Sequence, residues 1–254
     1  MADIWRETAS VRFGSVDRSD RMTLESICGF FQEAAISHAD SLGVGRDAMA
    51  HNGQGWILSR LSLFVERRPA YGETIEISTW PRGWDKLFAL RDYEIRDAAG
   101  AVVVRGRGAW LVLDIEKRRP LRPQSIMDGL PLNDGIDAFP EGAIGLESRE
   151  NLLKNTCRAA LYSDIDYYGH ANNARYIRWI QDATDMGILA AADRIRFDIN
   201  YLSEVLPGET VELWTAPLEE TGRSFAYEGR RPNGKPDGSS HAAFRAELRF
   251  SYAA

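Results

Sequence analysis

The sequence predicts an α+β chain of two tandem domains, each a helix followed by several strands. Three observations carry this reading. The two halves echo each other, an apolar helical spacing in each half gives way to strand alternation, and a proline- and glycine-rich stretch lies between the halves.

The repeat is direct. Arg60-Leu-Ser-Leu-Phe64 leads through Arg67 and Arg68 to Gly72-Glu-Thr-Ile-Glu-Ile77. Arg196-Phe-Asp-Ile-Asn200 leads through Ser203 and Glu204 to Gly208-Glu-Thr-Val-Glu-Leu213, an ungapped offset of 136. Upstream, Phe31-Gln-Glu-Ala34 matches Ile180-Gln-Asp-Ala183 at an offset of 149. The change of offset is expected in a longer helix-to-strand connection of the first half, around Gly43 to Gly55.

In the first half Ile27, Phe30, Phe31, Ala34, Ala35, His38 and Leu42 share one helical face. Thr23 suits the N-cap and Glu25 the first turn. Strand alternation follows, with Val102, Val104, Gly106, Gly108, Trp110 and Val112 set against Arg105, Arg107 and Ala109. In the second half a helix is expected to begin near Asn172 or Asn173, with Tyr176, Ile177, Ile180 and Ala183 as its apolar stripe. The last strand turns Phe244, Ala246, Leu248, Phe250 and Tyr252 one way and Arg245, Glu247, Arg249 and Ser251 the other. Asp97 to Gly100 and Pro232 to Gly234 read as hairpin turns. Pro120, Pro123, Pro131 and Pro140 mark the join, so the domains are read as 1–122 and 149–254 with a linker over 123–148.

Composition is that of an ordinary globular protein, 44% hydrophobic and 27% charged over 254 residues. No apolar run approaches the ~20 residues of a membrane span. The N-terminus has neither an apolar h-region nor transit-peptide character, so a cytoplasmic location is expected. A net charge of −6 argues against nucleic-acid binding, which needs a basic footprint. Cys28 and Cys157 fit no disulfide framework or metal spacing and read as small buried hydrophobes. Gly43-Val-Gly45 follows a helix rather than a strand and is no dinucleotide motif. His38 reads as a core histidine, and His51 and His241 as loop or strand-edge residues. Trp56, Trp80, Trp84 and Trp110 read as core or pocket lining.

The stretch with the most chemistry is Ser163-Asp-Ile-Asp-Tyr-Tyr-Gly-His-Ala-Asn-Asn-Ala-Arg-Tyr176. Asp166 and His170 stand four residues apart around Gly169, and Asn172 and Asn173 follow where a helix begins. A carboxylate there can activate water or attack directly, and N–H groups near Gly169 to Asn173 can hold an oxyanion. A lone acid or histidine in a capping loop would carry no such reading; the linked set does.

This stretch resembles the Asp-x-x-Gly-His-x-Asn-Asn-x-x-Tyr motif of hotdog-fold thioesterases, here Asp166, Gly169, His170, Asn172, Asn173 and Tyr176. The duplication and further segments narrow the resemblance to acyl-acyl-carrier-protein thioesterases, the plant chain-terminating type and its bacterial relatives. Those segments are Ser26-Ile27 through Gln32-Glu-Ala-Ala35, His38 and Gly43; Ile75 to Trp80; and Trp110 to Asp114 with Arg118-Arg119.

The resemblance implies two tandem hotdog domains, each a long helix packed on a twisted antiparallel sheet, with an acyl pocket in the first and the chemistry in the second. It implies hydrolysis of fatty acyl thioesters on acyl carrier protein, ending fatty acid synthesis, with no metal or other cofactor. The family's Asp, His and distant Glu fall on Asp166, His170 and Glu204. The Asn of the plant Asp-x-Asn-x-His pattern falls on Tyr168, a departure. The cysteine of some plant members falls on Val205, so a cysteine mechanism does not carry over. At the repeat positions the first half has Asp17, Arg21 and Arg68, so it lacks two of the three groups. The basic run Lys117, Arg118, Arg119 and Arg122 is the candidate docking surface for the acidic carrier, with Arg67-Arg68 and Arg230-Arg231 as competitors. An acyl-CoA thioesterase, a non-catalytic acyl-binding double hotdog and a hotdog dehydratase are the rival readings. A homodimer is left open.

Overall fold

The computed structural model describes residues 3–133, 135–139, 141–232 and 242–251. They divide into two compact units, Met1–Ile144 and Gly145–Ala254. Among them no helix is long and apolar enough to cross a membrane.

The first unit runs β1 (Trp5–Ser10), a 3-10 turn at Phe13–Ser15, α1 (Leu24–Ser41), α2 (Arg46–His51), β2 (Gln54–Val65), β3 (Thr74–Asp85), β4 (Phe88–Asp97), β5 (Val102–Asp114), β6 (Arg119–Leu121) and α3 (Gln124–Met127). Its strands are antiparallel in the order β1-β3-β4-β5-β2, with β6 on β5. Thr23 caps α1 by accepting from Ser26 N–H, and Glu25 sits in the first turn as expected. Ile27, Phe31, Ala34, Ala35 and His38 are buried. Phe31 stacks on Tyr93 of β4 at 4.6 Å. The helix approaches closely because β5 carries Gly106, where a Cβ would meet the Phe31 ring at 2.8 Å.

The second unit runs β7 (Leu153–Ala159), a 3-10 turn at Tyr162–Asp164, α4 (Asn173–Asp182), α5 (Met186–Ala191), β8 (Arg194–Tyr201), β9 (Thr210–Pro217), β10 (Ser224–Arg230) and β11 (Ala242–Ser251). Its antiparallel order, β7-β9-β10-β11-β8, repeats that of the first unit strand for strand. Tyr176 of α4 packs edge-on against Tyr201 and Phe244, each at 5.5 Å.

Several expectations change. The offset is taken up mainly inside the first helix rather than in the connection after it: α1 has 18 residues and α4 has 10. A further four come from the start of β2, which has 12 residues against 8 in β8. The second helix stops because Thr184 donates back to the Ile180 carbonyl at 2.7 Å and Asp185 caps a new helix through Gly187 and Ile188 N–H. Much of the stretch read as a linker, 123–148, is fastened to the first unit instead. Trp80 Nε1 donates to the Ile136 carbonyl at 3.0 Å, and Ala138 N–H donates to Asp92 at 2.9 Å. Asp137 accepts from Arg82 at 2.6 Å and from Arg107 at 2.7 Å. Prolines stop this stretch joining a ladder, but side chains and carbonyls tie it down. Cys28 is buried as expected, whereas Cys157 is exposed on β7. Pro140, His241, Tyr252 and the Asn233-Gly234 turn lie outside the described residues.

Candidate active site

The motif lies in a tight turn between the 3-10 turn at Tyr162–Asp164 and α4. Asp166 N–H donates to the His170 carbonyl at 3.0 Å, and Gly169 N–H to the Asp166 carbonyl at 3.0 Å. Closing this turn needs the left-handed backbone of Gly169, at φ 83°. Asp166 Oδ1 accepts from Tyr168 N–H at 2.9 Å, and Asn172 Nδ2 approaches Oδ2 at 3.4 Å. Asn172 also caps α4, its Oδ1 accepting from Ala174 N–H at 2.9 Å. One asparagine thus starts the helix and touches the carboxylate.

His170 Nδ1 lies 4.0 Å from Asp166 Oδ1, beyond hydrogen-bond distance, and Tyr168 stacks over the imidazole at 6.1 Å. Tyr168 is 62% exposed. It covers a face of the histidine and offers no amide, which is the consequence of its departure from the plant pattern.

Glu204 is exposed in the loop after β8. Two bonds tie that loop to the motif: Ala171 N–H donates to the Val205 carbonyl at 2.8 Å, and Val205 N–H donates to Tyr176 Oη at 3.0 Å. The Tyr176 hydroxyl registers both acids. Burial pushes its pKa up to about 12, with Asp166 and Glu204 adding to the rise and the Val205 N–H and Arg231 opposing it. Asp166, His170 and Glu204 therefore share one locality.

The first unit builds the same turn with other side chains. Asp17 N–H donates to the Arg21 carbonyl at 2.9 Å, and Asp20 N–H to the Asp17 carbonyl at 3.0 Å. Asp20 takes the left-handed conformation of Gly169, at φ 59°. Met22 N–H donates to the Pro69 carbonyl at 2.8 Å, the counterpart of the Ala171–Val205 bond. Here, however, Asp17 is neutralised by Arg68 at 2.5 Å. Burial would raise the Asp17 pKa, but bonds from Ser19 and Arg68 overcome it and hold the carboxyl below the usual range. An ion pair in the first unit is replaced by two carboxylates in the second.

The N–H groups near the motif are mostly committed. Gly169 N–H serves Asp166, Ala171 N–H serves Val205, and Asn172 N–H donates to the Asp164 carbonyl at 2.9 Å. Among the described residues nothing accepts from His170 N–H or Asn173 N–H. The range of oxyanion donors read from sequence thus contracts to two.

Of the basic run, Lys117 lies 3.4 Å from Asp114, and Arg118 turns the chain into β6 at φ 49°. Arg119 and Arg122 are exposed. Arg122 lines a depression of about 370 Å³ with Trp84, Lys86, Leu87 and Gln124. The competing pairs serve internal carboxylates: Arg67 binds Glu73 and Asp97, Arg68 binds Asp17, Arg230 binds Glu228, and Arg231 binds Glu209. His38 is a core residue, its Nδ1 3.0 Å from Arg91 Nη1 and its ring stacked with Trp5. His51 ends α2, exposed.

Residues 2–129 match the acyl-ACP thioesterase N-terminal domain, and residues 150–247 match the acyl-ACP thioesterase C-terminal domain. The chain belongs to the acyl-ACP thioesterase family. A chloroplastic acyl-[acyl-carrier-protein] hydrolase of Cuphea viscosissima is 22% identical over 97% of this chain and 63% of its own length. The chain thus spans a little under two thirds of that relative. The fold matches a crystal structure of an acyl-ACP thioesterase from Bacteroides thetaiotaomicron with a TM-score of 0.81, 24% identity and 98% coverage of both chains. It matches the 12:0-ACP thioesterase from Umbellularia californica with a TM-score of 0.83 and 21% identity, again over 98% of each chain. The family's two domain matches fall one on each unit, and the α+β, hotdog-type fold expected from the sequence is the one the chain has.

Proposed function

We propose that the chain hydrolyses fatty acyl thioesters of acyl carrier protein to free fatty acid and carrier thiol, terminating fatty acid synthesis. The observation that supports this most is that the Glu204 loop is tied through Val205 to Ala171 of the Asp166 turn and to Tyr176, where the first unit has a closed Asp17–Arg68 pair. Family membership supports the substrate class.

In this reading a carboxylate of Asp166 or Glu204 takes a proton from water as its oxygen attacks the thioester carbonyl carbon. The N–H groups of His170 and Asn173 receive the developing oxyanion. The tetrahedral intermediate collapses, the C–S bond breaks, and the departing sulfur takes a proton from the acid just formed or from His170. A thioester has a good leaving group, so these groups suffice without a metal or other cofactor. The first unit holds the acyl chain, and the second the chemistry.

The carrier docks at Lys117, Arg118, Arg119 and Arg122, where the neighbouring depression adds Lys86 and an exposed tryptophan edge. The exposure of Arg119 and Arg122, set against the binding of the other arginine pairs to internal carboxylates, favours this run. The protein acts in the cytoplasm. Thiol release measured on acylated carrier proteins and acyl-CoAs of graded chain length tests the reading. Faster turnover of the carrier-protein substrates is expected; preference for acyl-CoA would transfer the activity to that carrier, and release from neither would leave an acyl-binding protein.

A further inference from the structure

The sheet register aligns the ends of β4 and β10. Ile77 pairs with Ile95, and Leu213 pairs with Gly229; Glu76 pairs with Arg96, and Glu212 with Arg230. The next residues in line are Asp97 and Arg231. In the first unit the cation of this corner is Arg67, which binds Glu73 at 2.7 Å and Asp97 at 3.1 Å. In the second unit the position of Arg67 is Ser203, that of Glu73 is Glu209, and that of Asp97 is Arg231. The charge has changed sides. Arg231 Nε donates to Glu209 at 3.2 Å and Nη1 to Ser203 Oγ at 2.8 Å, while Nη2 donates to the backbone carbonyl of Glu204.

We propose that Arg231 is a positioning residue for Glu204, its guanidinium fixing the loop from which the carboxylate projects. The inference rests on the thioesterase reading for its activity test. Moving the cation from the loop to the strand end frees two consecutive loop positions of arginine. The corner keeps its cross-link, and the position of Arg68 can hold an acid. Arg231 then has three anchors on one loop, which a rigid five-donor fork satisfies and an ammonium does not. On that loop Arg231 bonds Glu209 and the Glu204 carbonyl, and Tyr176 of α4 registers its charge against those of Asp166 and Glu204.

The test uses Arg231→Gln, Arg231→Lys and the double variant Ser203→Arg with Arg231→Asp, which rebuilds the corner of the first unit. Arg231→Gln should lower kcat on acylated carrier protein by ~10- to 100-fold, with a smaller change in KM. Arg231→Lys should recover only part of kcat. The double variant should restore Tm without restoring kcat, because Glu204 still lacks its donor. A Tm and kcat that recover together would make Arg231 a structural cross-link only.

Amide hydrogen exchange over Ser203 to Val205 stands apart from activity: it should be faster in Arg231→Gln than in the wild type, because the loop has lost its anchor. Unchanged exchange overturns the inference even if the wild type proves inactive on every thioester, an outcome that would refute the thioesterase reading by itself.

Discussion

Glu204 and Arg68 occupy equivalent positions of the repeat and make opposite predictions. Arg68 is 3% exposed and bonded to Asp17, so Arg68→Gln strands a partly buried carboxylate. It should cost about 2–3 kcal/mol of stability, somewhat less than removing a partner from a fully buried pair, and leave kcat near wild type. Glu204 is exposed, so Glu204→Gln should leave Tm unchanged and lower kcat by ~100-fold or more. Denaturation and steady-state kinetics on the two purified variants check both halves, and equal effects on kcat would remove the assignment of one active site to the second unit. Cysteine gives a second contrast. Burial, aided by Glu25, pushes Cys28 up to about 12, while Cys157 is exposed. An alkylating reagent should label Cys157 alone in the native protein, seen by mass spectrometry, with activity retained. Inactivation in step with labelling would revive a cysteine mechanism. Asp166 and His170 could be proposed from side-chain identity and spacing, and Glu204 from the family resemblance. Arg231 was legible only as part of a basic pair, since its meaning depends on a sheet register that no linear pattern displays.

The elements with a strong period were readable. Helix α1 has its apolar face and N-cap where spacing and Thr23 place them, and Phe244, Ala246, Leu248 and Phe250 of β11 are buried as expected, although Glu247 on the opposite face is buried too. The length of α4 was not readable, because its end depends on the Thr184 and Asp185 side chains competing for the backbone rather than on a break in the apolar stripe. Nor was the fastening of Asn133 and of 136–138, which has no period and is held by contacts to β3, β4 and β5. That fastening has a pH signature. Hydrogen bonds from Arg82 and Arg107 hold Asp137 down to about 2. Its folded pKa lies below the ~3.9 of an unfolded aspartate, so its contribution to stability is present above pH 4 and is lost as pH falls towards 2. The side chain is 40% exposed, which keeps the effect small. Thermal denaturation between pH 5 and pH 2 should show a shallower decline in Asp137→Asn than in the wild type; parallel curves would remove Asp137 from the acid response.

At the scale of the molecule, a duplicated unit has kept its backbone and changed the side chains at its turn. The same turn, the same anchoring bond and the same strand order recur, while the side chains at the turn change from a closed ion pair to an acid pair. With a net charge of −6, an acidic carrier needs a local basic surface. Charge reversal at Arg119 and Arg122 should raise KM for acylated carrier protein and spare turnover of a small acyl thioester, and added salt should act alike on the wild type. Kinetics indifferent to both would move docking elsewhere. The central claim, that the thioester is hydrolysed at the motif turn of the second unit and not at its twin in the first, is tested most directly by single-turnover thiol release from acylated carrier protein with Asp166→Asn and Asp17→Asn side by side. The account predicts that Asp166→Asn, folded and still binding substrate, loses ~10³-fold or more in rate, about 4 kcal/mol of barrier, while Asp17→Asn releases thiol at the wild-type rate. Wild-type release by Asp166→Asn, or an equal loss in both variants, would contradict it.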